Sequence, residues 1–113
     1  MRTIKFRVWD NVDYMSTPFS LQDLQQGKIK FTDDCIVMQF TGLHDKNGKE
    51  IYEGDVVKYI DEHIGEIQYW IGQICVGYRY KSNNVTFPLK IGNAISMEVI
   101  GNIHENPELL NQK

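Results

Sequence analysis

Ile4, Phe6 and Val8 alternate with Lys5, Arg7 and Trp9 at the start of the chain. That period of two sets the apolar residues on one side of an extended segment and the charged ones, with Trp9, on the other, which is the pattern of a half-buried strand. Asp10-Asn11 ends it in a turn. A lone strand and a short helix cannot bury both faces themselves. The Trp9 side is therefore expected to be exposed unless the rest of the chain or a second subunit packs on it.

After Pro18 the pattern changes. Ser20-Leu21-Gln22-Asp23-Leu24 predicts a short helix, with Ser20 capping its N-terminus, Asp23 reaching back to it and Gly27 terminating it. Extended segments follow at Ile29 to Phe31 and Cys35 to Thr41. Asn47-Gly48 then predicts a tight hairpin, because a type I′ turn wants positive φ at both central positions. Glu53-Gly54-Asp55 introduces the β-branched run Val56 to Ile60. The polar loop Asp61-Glu62-His63 leads past Gly65 to a strand over Glu66 to Ile71, and Gln73 to Tyr80 continues the β pattern. Ser82-Asn83-Asn84 is a turn, Phe87 to Leu89 is extended, and Met97 to Ile103 is a final strand. Asn106 caps a short terminal helix that Pro107 opens.

Many short strands, punctuated by glycine and with no long amphipathic helix between them, predict a mainly β fold: a small barrel or a strongly bent sheet. Neither an internal repeat nor a linker interrupts the pattern, and 113 residues suit one domain that buries roughly two-thirds of its unfolded surface.

Charge and cysteine usage narrow the setting. A formal charge of -3 argues against broad binding to a nucleic-acid backbone, which relies on Lys and Arg displacing counterions, and leaves room for a local basic patch. No run approaches the roughly 18 apolar residues of a membrane span, and the alternating N-terminus lacks the apolar stretch of a secretory signal, so a cytoplasmic location without membrane contact is expected. Cys35 and Cys75 each sit among apolar neighbours and form no Cys-x-x-Cys pattern. Both are read as buried thiols. The glycosylation pattern Asn84-Val85-Thr86 is discounted in that compartment.

Candidate chemistry is sparse. Asp45-x-Asn47-Gly48 begins like a calcium loop but lacks the later ligands and flanking helices, so a hairpin turn explains it. Glu53 and Asp55 offer two carboxylates for acid–base work, but a bend at Gly54 with Asp55 accepting backbone hydrogen bonds accounts for them structurally. Asn47, Gly48, Gly54 and Asp55 are thus the turn residues. His44, His63 and His104 lack metal-ligand spacing, and neither a nucleophile elbow nor a phosphate loop is present. No metal, cofactor or catalytic residue is assigned, and the chain is expected not to be an enzyme. The remaining candidate surface is aromatic and basic: Tyr69, Trp70, Tyr78, Arg79, Tyr80 and Lys81. On a β surface these could stack bases and hold phosphates. The alternative is that half are core and the others cover a subunit interface.

Three blocks carry a resemblance: Phe6-Arg7-Val8-Trp9-Asp10 with Met15; the long run from Met38-Gln39-Phe40-Thr41-Gly42 to Glu53-Gly54-Asp55-Val56-Val57; and Glu98-Val99-Ile100-Gly101-Asn102-Ile103-His104-Glu105-Asn106-Pro107-Glu108-Leu109-Leu110. Together they resemble the YopX family of phage and prophage proteins across nearly the whole chain. The resemblance implies a phage or prophage origin in bacteria, a C-terminal SH3-type barrel and self-association, and assigns no activity. On that basis residues 1–34 are expected to pack as a strand and short helix on a barrel, or on a neighbouring subunit. Residues 35–113 are expected to form that barrel with its terminal helix. The functional expectation is a non-enzymatic, homo-oligomeric accessory protein that binds a host or phage protein, the alternative being a small-barrel nucleic-acid binder.

Overall fold

The computed structural model describes residues 4–10, 15–27, 35–59, 63–70, 73–80 and 83–111. The expected strand at Ile29 to Phe31, and Lys81 of the candidate surface, lie outside them. Strands β1 (Lys5–Trp9), β2 (Phe19–Ser20), β3 (Ile36–His44) and β4 (Glu50–Tyr52) form one sheet in the order β2-β1-β3-β4. Strands β5 (Asp55–Tyr59), β6 (His63–Trp70), β7 (Gln73–Tyr80), β8 (Asn83–Pro88) and β9 (Glu98–Asn102) form a second, in the order β8-β7-β6-β5-β9. Among the described residues every strand pairing is antiparallel. The protein is mainly β, but among the described residues the strands do not close into a barrel: β8 and β9 end an open sheet. The change of sheet falls at Glu53-Gly54, inside the segment expected to be a single barrel.

Local signals mostly gave the elements their ends. Helix α1 (Leu21–Gln25) begins as its sequence requires: the Asp23 N–H donates to Ser20 Oγ at 3.1 Å, the Ser20 N–H donates to Asp23 Oδ2 at 3.2 Å, and Gly27 follows at φ 72°. The 3-10 helix Pro107–Asn111 likewise starts at its proline.

Other expectations need correction. The hairpin turn is closed by the Gly48 N–H donating to the Asp45 carbonyl at 3.0 Å, which makes Lys46-Asn47 the central pair rather than Asn47-Gly48. The Asp45 carboxylate forces this, since Oδ1 accepts from the N–H groups of Asn47 at 2.8 Å and Lys49 at 2.9 Å. His63, expected in a loop, opens β6 opposite Tyr59. Asn83-Asn84, expected in a turn, begin β8. A one-turn helix α2 (Ile91–Ala94) occupies a segment with no predicted element. Cys75 is buried but Cys35 is only half-buried.

The alternation of β1 leaves open what covers its Trp9 side, and the rest of the chain does. Its period of two does separate the faces, but the charged face goes inward as well: Trp9 is buried with its ring stacked on His104, 6.3 Å between centroids, and Arg7 reaches buried Asp55. The apolar side is divided, with Val8 buried and Ile4 46% exposed. The N-terminal sheet thus packs on the second one through a face that reads as polar.

Two apolar clusters result. Ile51 joins Val57, Ile67, Val76, Met97 and Ala94 of the second sheet and its connections, while Met38, Phe40 and Tyr52 form a smaller cluster with Met15.

Candidate functional site

A cleft of about 260 Å³ opens where the two sheets meet, lined by Gln39, Phe40, Glu53, Tyr69 and Ile74. Its walls come from β3, from the turn between the sheets and from the adjoining ends of β6 and β7.

The turn is held rigidly. The Glu53 N–H donates to the Gln39 carbonyl at 2.9 Å, and the Gln39 N–H donates to Glu53 Oε1 at 3.1 Å. Gly54 follows at φ 84°, a conformation that glycine alone adopts freely. Its N–H donates to the Ile67 carbonyl and its carbonyl accepts from the Ile103 N–H, both at 2.8 Å, so this one residue ties the turn to β6 and to the residue that follows β9. A Cβ there would meet Met38 Cε at 3.0 Å.

Behind the turn Asp55 is only 1% exposed. Its Oδ2 accepts from the Tyr52 N–H at 2.8 Å and its Oδ1 pairs with the Arg7 guanidinium, which lies 4.4 Å from the Tyr52 ring centroid. Burial pushes the Asp55 carboxyl above its ordinary range, against the opposing pull of Arg7 and the Tyr52 N–H. Arg7 Nε is buried without a hydrogen-bond partner among the described residues.

A second ion pair, Lys5 to Glu50, lies nearer the surface, with the Tyr52 hydroxyl donating to Glu50 Oε1 at 3.0 Å. Burial would raise the Glu50 carboxyl, but the hydrogen bonds from Lys5 and Tyr52 outweigh it and hold the group below its usual range. Burial first, and then the bond to Glu50, drives the Tyr52 phenol upward. The His104 imidazole is held below its usual range by burial and by the nearby Arg7 charge.

Glu53 and Asp55 are therefore separated by the bend: one lines the cleft and the other is buried in an ion pair. No histidine lines the cleft. His44 packs edge-on against Phe40 and His104 lies on Trp9. Among the described residues no three His, Cys, Asp or Glu side chains are grouped as metal ligands, and no helix is long and apolar enough to cross a membrane.

Of the six residues of the aromatic and basic surface, Tyr69 lines the cleft and is 61% exposed. Trp70 ends β6 opposite Gln73. On β7, Tyr78 pairs with Gly65 and Val85, Arg79 with Asn84 and Tyr80 with Asn83. Gln39, Phe40 and Ile74 were not singled out from the sequence. Gln39, Phe40 and Glu53 do lie in the longest block of the family resemblance, which was the available signal.

Fold and cleft together define a class: a two-sheet, mainly β protein with a small inter-sheet cleft lined by a single carboxylate, Glu53, one of whose oxygens holds the Gln39 backbone N–H. The chain belongs to the YopX protein family, whose model matches residues 11–111. In three dimensions it is similar to the crystal structure of protein EF1440 from Enterococcus faecalis, with a TM-score of 0.66 and 24% identity, covering 97% of this chain and 99% of that one. At that identity the likeness concerns the fold alone. No match is found among curated proteins.

Proposed function

We propose that this chain is a non-enzymatic binding module, an accessory protein of phage or prophage origin that engages a protein partner in the bacterial cytoplasm through the inter-sheet cleft. The observation that carries this reading is the division of labour among the titratable groups. Asp45, Glu50 and Asp55 are engaged in backbone hydrogen bonds or ion pairs, whereas the cleft gathers one carboxylate with exposed aromatic surface and no acid–base pair. Such a lining, more polar than apolar, suits recognition of a polar or charged group beside one exposed ring.

Two further parts of the reading have structural support. The second sheet is a meander, β5 to β8, with the last strand β9 returned beside the first and α2 between β8 and β9. This order supports reading it as an opened SH3-type barrel. Self-association is supported by β8, an edge strand without a charged residue, since uncharged edges invite pairing with another strand.

The test is capture of partners by the tagged full chain in a phage-infected host, with lysate halves treated or untreated with nuclease. A protein that survives nuclease and is lost with Tyr69→Ala would support the reading. A partner lost with nuclease would put the nucleic-acid reading in its place, and small-molecule turnover abolished by Glu53→Gln would replace both with an enzyme.

A further inference from the structure

Resting on that reading of the cleft, we propose that its ligand is the guanidinium of an arginine side chain, presented by an extended segment of the partner protein. The size of the cleft speaks first. At about 260 Å³ it falls below the roughly 300–1,000 Å³ of sites for drug-sized ligands and cofactors, and it suits one long side chain.

Its chemistry then selects the side chain. Glu53 is the ionisable carboxylate of the lining. Its Oε1 accepts the Gln39 N–H, while its second oxygen has no partner among the described residues. The Gln39 side-chain amide also makes no hydrogen bond among them, and the Tyr69 ring is exposed beside Ile74 and Phe40. An acceptor next to an open aromatic face is what a guanidinium uses: its planar fork donates to a carboxylate while its face stacks on a ring. An ammonium has the charge without the plane, and an anion is repelled by Glu53. Lys5, a cation 5.0 Å from the Phe40 centroid, is already paired with Glu50. The net charge of -3 favours approach of a basic segment.

The experiment is an NMR titration of the isotope-labelled full chain with the capped tripeptide Ala-Arg-Ala and its citrulline counterpart, which keeps the shape and loses the charge. The arginine peptide is expected to bind weakly, on the order of millimolar, because one immobilised side chain gains little over the cost of association. Saturable shifts should centre on the amides of Gln39, Glu53, Gly54 and Ile74. Glu53→Gln keeps an oxygen for the Gln39 N–H and is expected to fold, weakening binding at least about fivefold by loss of a charge-assisted contact. Should that variant fail to fold, Tyr69→Leu at its exposed position serves instead, with the same expected direction. Equal binding of the citrulline peptide, shifts centred elsewhere, or no shift by about 20 mM, far above the expected affinity, would overturn the proposal. Partner capture that depends on Tyr69 could still succeed in that case, leaving the binding-module reading standing with a different ligand.

Discussion

Arg7→Met tests the junction between the sheets most directly. The substitution keeps a long apolar side chain against the Tyr52 ring and removes the positive charge facing Asp55, which is 1% exposed. Breaking a buried pair from one side leaves an uncompensated charge and costs about 3–5 kcal/mol. The stability of a domain this size is only about 5–15 kcal/mol, so the loss should be large. Its pH dependence has a definite sign. Burial already holds the Asp55 carboxyl above its ordinary range, with Arg7 opposing, and removing Arg7 leaves burial less opposed. An acid whose folded pKa is raised contributes stability that is full below its unfolded pKa, about 3.9, and is lost as pH rises through the folded value. The variant should therefore lie closest to the parent near pH 4, where only the packing and hydrogen-bond loss of about 1–2 kcal/mol remains, and furthest from it near pH 8. Urea unfolding followed by tryptophan fluorescence at both pH values measures this. A cycle with Asp55→Asn and the double variant isolates the coupling, expected at about 1–3 kcal/mol. A penalty at pH 8 below about 1 kcal/mol, the scale of an exposed pair, or one that does not change with pH, would refute the reasoning.

Asp45→Ala removes the acceptor for the N–H groups of Asn47 and Lys49 and, through Oδ2 at 2.9 Å, of Val99 on β9. Each charge-assisted bond is worth about 1.5–3 kcal/mol and the three are not additive, so urea unfolding should show a loss of about 3–5 kcal/mol. Burial opposes ionisation of Asp45, but these N–H groups prevail and hold it below its usual range. This contribution is therefore present above its unfolded pKa, about 3.9, and fades as pH falls through the folded value. Asp45→Asn should correspondingly flatten the acid side of the stability profile, and an unchanged profile would count against the assignment. For self-association, the Leu89 N–H donates to the Ile74 carbonyl at 3.0 Å, and hydrogen-bonded pairs recur at every second residue. Phe87 and Val85 therefore bond to β7 and Thr86 turns its N–H to the outer edge. Thr86→Pro removes that donor without touching the β7 ladder and should reduce the mass measured by light scattering to that of a monomer. An assembly unaffected by it would place the interface elsewhere.

Features that rest on a few consecutive residues were legible in the sequence. The Ser20 and Asp23 cap, the stop at Gly27, the bend at Gly54 and the proline opening the last helix each depend on local backbone chemistry, and the residues that supply it stand next to one another. The cleft was legible only in fragments. Tyr69 and Glu53 were noticed for separate reasons, but Gln39, Phe40 and Ile74 carry no chemical signature of their own.

The chain alternation by itself determined that this protein would be mainly β, where most strands would run and which residues of β1 would share a face, because a strand's period of two is a property of consecutive residues. Only the tertiary structure decided which face was buried. Arg7 goes inward because Asp55, 48 positions along the chain, is waiting as its counter-charge, and Trp9 because His104 provides a ring to stack on. Whether the strands form one barrel or two sheets, and whether Glu53 and Tyr69 share a cleft, likewise depends on pairings between distant segments, whose energies no local pattern records.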